Sequence, residues 1–154
     1  MRPPMFSIVI ACYNQRHFVQ AAVESAISQS HPSMEVIAVD DGSSDGTPEV
    51  LDAYRDSIRL VEFPKNQGAL ASRNHGASLA TGEYLVFLDG DDVLMPWTLR
   101  VYESLIATQR PKIILGMRSY FKGEVPRATV EDVPGKIKFV NYQYWFQKDR
   151  EVAF

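Results

Sequence analysis

Phe6-Ser7-Ile8-Val9-Ile10-Ala11-Cys12, with Tyr13-Asn14 directly after it, is the stretch whose reading decides the fold. It is short, apolar and rich in β-branched residues, the pattern of a strand buried on both faces. The period then changes. Within His17–Ser30, Phe18, Ala21, Ala22, Ser25, Ala26 and Gln29 follow helical spacing, Val19, Val23 and Ile27 fill the apolar stripe, and His31-Pro32 ends the helix. Met34–Val39 reads as a second strand that opens onto the loop Asp40–Gly46. Thr47-Pro48-Glu49 reads as N-cap, N1 proline and first-turn acid of a helix reaching about Asp56. Ile58–Phe63 is a third strand, Pro64–Gly68 a turn cluster, Ala69–Ala80 an alanine-rich helix stopped by Thr81-Gly82, and Tyr84–Leu88 a fourth strand. Pro96 opens a helix to Gln109, and Lys112–Met117 is expected as a fifth strand. Gly123–Gly135 reads as loop, and Ile137–Phe146 fits either a strand or the start of a helix.

Strand and helix in alternation make βαβ units, hence an α/β fold with a mostly parallel sheet and helices on both faces. Ligands of such sheets bind beyond the carboxyl ends of the strands. Three polar clusters fall there: Ala11–Asn14, Asp40–Gly46 and Asp89–Asp92.

The 154 residues suit one domain able to bury a core, and 45% apolar with 23% charged residues is ordinary for a globular chain. A net charge of −3 gives no reason to expect a nucleic-acid partner. Residues 1–110 carry 8 basic and 14 acidic side chains, whereas residues 111–154 carry 8 and 5. An acidic front half suits a divalent cation, although surface charge varies along most chains. Cys12 is the only cysteine, so no intrachain disulfide forms and a reducing compartment is expected. Its apolar setting is that of a small buried hydrophobe. Met1-Arg2-Pro3-Pro4-Met5 leads into a run too short for a signal peptide, and no apolar stretch approaches the roughly 20 residues of a membrane span.

Asp89-Gly90-Asp91-Asp92 packs three carboxylates into four residues. Charges that close repel unless a cation or hydrogen bonds compensate. Magnesium and manganese prefer carboxylate and phosphate oxygens, and Gly90 leaves room for a phosphate to approach the backbone. The competing reading is a solvated acidic turn ahead of the Pro96 helix. In Asp40-Asp41-Gly42-Ser43-Ser44-Asp45-Gly46-Thr47, a carboxylate can accept from a base N–H. Counted from Asp41, the same stretch resembles an EF-hand calcium loop, with Gly46 at position 6 and Asp52 at position 12. A strand rather than a helix before it, and no second copy, argue against calcium. Asp45 and Thr47 fit an Asx-type turn in either case. Tyr13 can flank a base, or be an ordinary amphipathic rim residue. Arg73 can hold a base or a phosphate, or be a solvated helix face; Lys65 is a weaker case of the same kind. His17 and His75 lack a second ligand at metal spacing, and Trp97 and Trp145 read as packing.

Taken together, these segments resemble the family-two glycosyltransferases, an inverting group with a GT-A (Rossmann-like) fold. Ser7–Asn14 resembles the family's opening strand with its Tyr-Asn, and Asp40–Thr47 its Asp-Asp-Gly-Ser loop. Asn66-Gln67-Gly68 with Ser72-Arg73-Asn74 resembles its Asn-x-Gly and Ala-Arg-Asn segment, and Gly82–Asp92 its Asp-x-Asp-Asp region. The resemblance covers about residues 6–110. It implies a nucleotide-diphospho-sugar donor, a UDP-sugar above all, and Mn2+ or Mg2+ as cofactor. Tyr13 and Asp41 would contact the base and Arg73 would support that pocket. Asp89 would face ribose and metal, Asp91 would be the main metal ligand, and Ala11 and Gly90 would line the same site.

Two departures stand out. Ala11 replaces a common proline. The family's catalytic base, an acid in a Glu-Asp or similar segment, has no match at its usual distance, because Glu131-Asp132 sits too near the metal motif. Residues 1–154 are therefore expected to form a single nucleotide-sugar-binding domain that stops before the base and the acceptor-binding part, whose acceptor (saccharide, lipid-linked or protein) is open. A binding module without transfer activity is the alternative. A nucleotidyltransferase would want a Gly-rich basic phosphate loop, and a HAD-type phosphatase Asp-x-Asp-Gly-Thr, which Asp92-Val93 breaks. The implied setting is cytoplasmic, in polysaccharide or cell-envelope synthesis, with docking of the parent protein at the inner membrane face and homodimer formation through an exposed edge both left open.

Overall fold

The computed structural model of the chain describes residues 6–29 and 31–114. Along the chain these form β1 (Phe6–Cys12), α1 (Val19–Ile27), β2 (Met34–Asp40), α2 (Thr47–Asp52), β3 (Arg59–Glu62), α3 (Ala69–Leu79), β4 (Tyr84–Asp89) and α4 (Thr98–Gln109). The four strands make one sheet in the order β3-β2-β1-β4, parallel at every pairing. β1 lies between β2 and β4 and all seven of its residues are buried, which is why its sequence shows no alternation.

The two faces of β1 meet different partners. Phe6, Ile8, Ile10 and Cys12 join Val19, Val23, Leu51, Val86, Leu88 and Leu99 in the main core. On the other face α3 packs over β1 and β2. That approach is close: a Cβ on Gly76 would stand 2.3 Å from Val9 Cγ1 and 3.3 Å from Val39 Cγ2. Among the described residues β4 ends the sheet and α3 does not cover it, and Leu85 and Phe87 on that face are exposed. No helix among the described residues is long and apolar enough to cross a membrane.

Several boundaries differ from the sequence reading. α1 begins at Val19 rather than His17, because Phe18 N–H and Val19 N–H both turn back to Gln15 O at 2.9 Å. Gly46, with φ +93°, caps α2, so Thr47 is inside the helix and Pro48 one position further in than expected. Thr47 cannot cap because its hydroxyl is engaged elsewhere, donating to Asp45 Oδ1 at 2.6 Å and accepting from Gln15 N–H at 2.9 Å. α2 stops at Asp52 instead of about Asp56, giving way to tight turns closed by Tyr54 N–H to Leu51 O at 3.0 Å and Ser57 N–H to Tyr54 O at 2.8 Å. α4 starts at Thr98, two residues after Pro96. β2 and β4 run one residue longer than expected, keeping Asp40 and Asp89 within the sheet. Of the expected fifth strand, Lys112–Ile114 are irregular. The rest of that run, the Gly123–Gly135 loop and Ile137–Phe146 lie outside the described residues.

Candidate functional site

Strand register carries the three polar clusters to one rim. Cys12 is opposite Asp40 across β1–β2, and Ala11 is opposite Asp89 across β1–β4. The chain leaving β1 is then tied to the loop leaving β2. Asn14, at φ +52°, donates its N–H to Ser43 Oγ and accepts Ser44 N–H on Oδ1, both at 2.9 Å. Arg16 N–H reaches Asp45 Oδ2 at 3.0 Å. The Thr47 hydroxyl, together with the Arg16 and Thr47 amides, holds the Asp45 carboxyl below its ordinary pKa. Asp40 is buried and accepts from Ser43 N–H and Oγ–H, so it serves the loop itself. Burial, and then the Asp40 charge, push the Cys12 thiol well up; it stays protonated and is no nucleophile.

Asp41 is 2% exposed and spends its carboxylate on a neighbouring turn. Oδ1 accepts from Gln67 N–H at 2.7 Å and Oδ2 from Gly68 N–H at 2.8 Å. The contact demands glycine beside it: Gly42 has φ +72°, and a Cβ there would stand 2.6 Å from Lys65 C and 2.8 Å from Asn66 N. Gly68 then opens α3, which brings Arg73 to the rim, where its guanidinium donates to Asp89 Oδ1.

The acidic turn is anchored by Gly90 N–H to Ala11 O at 2.9 Å. A Cβ on Gly90 would stand 2.3 Å from Gln15 Oε1 and 2.6 Å from Cys12 Cβ. The space that the sequence reading left for a phosphate is thus filled by protein, and close packing of the turn on β1 accounts for the glycine. Asp91 is exposed, and no hydrogen bond or ion pair among the described residues engages its carboxylate.

One cleft of about 290 Å³ is lined by Ala11, Tyr13, Asp41, Arg73, Asp89 and Asp91. These are six of the seven residues expected at the site; Gly90 lies behind the wall. Cys12, Gln15, Asn66, Ala69 and Ser72 complete the lining. Asn66 and Ser72 belong to quoted motifs without an assigned role, and Gln15 and Ala69 carry no signal beyond adjacency to Tyr13-Asn14 and Gly68. Tyr13 stands at the mouth, 45% exposed. His75 packs edge-on to Phe63, with ring centroids 5.3 Å apart, and takes no part. Asp132 and Trp145 lie outside the described residues.

Among the described residues no three His, Cys, Asp or Glu side chains cluster to hold a metal ion. Asp89 and Asp91 offer an all-oxygen pair. That fits magnesium or manganese, which keep water and substrate phosphate in their remaining positions and need no all-protein cage.

The sequence profile of glycosyl transferase family 2 matches residues 7–153. The chain belongs to glycosyl transferase family 2. It is similar to UDP-Glc:alpha-D-GlcNAc-diphosphoundecaprenol beta-1,3-glucosyltransferase WfaP of Escherichia coli, with 33% identity over 119 residues, 76% of this chain and 46% of that protein. It is 38% identical over 98 residues to succinoglycan biosynthesis protein ExoO of Rhizobium meliloti, 63% of this chain and 28% of that one. The crystal structure of S. aureus TarS 1-349 in complex with UDP-GlcNAc superimposes with a TM-score of 0.71 at 27% identity, covering 80% of this chain and 37% of the TarS 1-349 chain. The sheet is accordingly the GT-A, Rossmann-like α/β arrangement, as in TarS 1-349. The chain spans less than half the length of each of these relatives.

Proposed function

We propose that this chain is the donor-binding part of a glycosyltransferase that moves a sugar from a UDP-sugar to an acceptor hydroxyl with inversion, using Mn2+ or Mg2+. The observation that carries the reading is the meeting of Tyr13, Asp41, Arg73, Asp89 and the unengaged Asp91 in one cleft at the carboxyl end of a parallel sheet. WfaP is named for UDP-Glc and TarS 1-349 is solved with UDP-GlcNAc, which supports uridine over other bases.

Tyr13 flanks the base at the mouth of the cleft. Asp41, anchored by two backbone amides, keeps lone pairs for a base N–H, since a carboxylate offers about four acceptor sites. Arg73 neutralises Asp89 and fixes its orientation, so that the carboxylate meets the ribose in one geometry. Asp89 and Asp91 would hold the cation, whose chemistry when bound is to offset the charge on the departing diphosphate. In-line attack by the acceptor hydroxyl on the opposite face of the sugar breaks the bond to the diphosphate, which leaves, while the hydroxyl proton passes to a base outside residues 6–114, and the result is inversion.

The test is calorimetric titration of UDP, GDP, CDP and TDP, with and without manganese, into the chain and its Asp91→Ala variant. UDP is expected to bind preferentially and more tightly with metal. Asp91→Ala should remove about 100-fold of the metal-dependent affinity, since loss of a ligand costs at least as much as loss of an outer-shell partner. Absence of nucleotide binding under every condition would refute the reading.

A further inference from the structure

The segment after Asp91 is held by a side chain from a distant helix. Residues 93–97 have no regular structure, and α4 begins with no side-chain cap of its own. Gln29, two residues past the end of α1, is 1% exposed and reaches this segment at two points. Its Nε2 donates to Met95 O at 2.9 Å and to Ser25 O at 3.0 Å, while Oε1 accepts Leu99 N–H at 3.2 Å. Both amide hydrogens and the carbonyl are thereby used, and Gln29 supplies the cap that α4 lacks. One turn earlier, Ser25 Oγ donates to Ala22 O at 2.8 Å and accepts Leu94 N–H at 3.0 Å.

We infer that the Ser25–Gln29 pair is a positioning device for the Asp91 carboxylate. The acidic turn is anchored at its start by Gly90 N–H to Ala11 O, is closed on itself by Asp92 N–H to Asp89 O at 3.0 Å, and is tied at its far end by Leu94 N–H to Ser25 Oγ. Asp91 lies between them, exposed and with no partner among the described residues to orient it. Its direction toward the cleft follows the backbone that these bonds hold, and the far tie depends on α1. This inference rests on the donor-site reading above. It adds that buried Gln29 and half-buried Ser25, both outside the cleft, govern how well the acidic turn meets a cation.

The readout is the gain in UDP affinity on adding manganese, measured by calorimetry on the full chain. Gln29→Met keeps length and apolar bulk but strands Met95 O and Leu99 N–H; it should cut the gain by about tenfold, the low end for outer-shell changes, with metal-free UDP affinity unchanged. Ser25→Ala should cut it less, and decides the matter if Gln29→Met does not fold. The control is Ser7→Ala at the opposite rim, where buried Ser7 donates to Glu35 Oε1 at 2.6 Å and accepts Gly82 N–H at 2.8 Å. It should lower the melting temperature and leave the gain intact, as a purely structural effect would. Folded Gln29→Met or Ser25→Ala protein with the wild-type gain overturns the inference. A wild-type chain that shows no gain overturns the metal reading instead, and the inference with it.

Discussion

Gly42→Ala isolates the contact on which the nucleotide end of the cleft is built. The backbone at Gly42 has φ +72°, a region that costs an L-residue about 1–2 kcal/mol. The new Cβ would also stand 2.6, 2.7 and 2.8 Å from Lys65 C, Lys65 Cα and Asn66 N. These are backbone atoms of a turn already pinned to Asp41, so they cannot swing aside as a side-chain tip would. Overpacking of this kind costs about 1–3 kcal/mol. Relief by moving the turn would instead stretch the bonds from Gln67 and Gly68 to the Asp41 carboxylate, each worth about 1.5–3 kcal/mol as bonds to a charged group. The expected loss is about 2–5 kcal/mol, a large share of the roughly 5–15 kcal/mol typical of a domain. For a chain of this size that is a fall of roughly 5–15 °C in Tm. Gly68→Ala is the comparison: φ is +95° there too, yet no described atom lies within 4 Å of the added Cβ, so only backbone strain of about 1–3 kcal/mol applies. Urea denaturation of both variants, with UDP titration of each, gives the assay. Gly42→Ala should be the less stable by about 1–3 kcal/mol, the steric part alone, and should lose UDP affinity as Asp41 shifts. Equal stability of the two would refute the steric argument.

Arg73→Ala should lower UDP affinity about tenfold, because Asp89 loses the partner that orients it, while stability falls by no more than about 1 kcal/mol for a pair that is partly solvated; calorimetry and thermal melts separate the two effects. Stability should also fall in acid through Glu35. Burial alone would raise its pKa, but hydrogen bonds from Ser7, Thr81 and Gly82 together outweigh that and hold the carboxyl below its ordinary value. A depressed folded pKa contributes stability that is complete above the unfolded value of about 4.3 and is lost as pH falls through the folded one. Glu35→Gln should therefore flatten the decline of the urea midpoint below about pH 4.3, and an unchanged decline would remove Glu35 from the account.

The order and type of the eight elements were legible because each is written in local periodicity. β1 lacks alternation since strands flank it on both sides, and α3 carries small residues where it meets Val9 and Val39. The positions of the three polar clusters were legible for a related reason: in a parallel sheet every strand ends at the same rim, so knowing where strands end is enough to gather Tyr13, Asp41 and Asp89. Arg73 and Asp91 followed from the motifs around them.

What those polar groups face is a different matter. A carboxylate reads the same in sequence whether it points at a ligand or at a backbone amide, so the residues alone left Asp40 and Asp41 equivalent and only the family resemblance singled out Asp41. Tertiary structure separates them, turning Asp40 onto its own loop and Asp41 onto the turn before α3. The glycine at position 90 likewise marks a close approach, but only the packed molecule shows that Gln15 and Cys12 fill the space. Thr47 lost its capping place to Gly46 because Asp45 and Gln15 hold its hydroxyl, and Gln29 became the cap of a helix 70 residues away. The sequence by itself thus determined the parallel α/β sheet, the rim and the family to which its motifs belong, since periodicity and local motifs are properties of neighbouring residues. The pairing of donors with acceptors across the rim was decided only by the tertiary structure, because hydrogen bonds between distant segments depend on distances that no local pattern encodes.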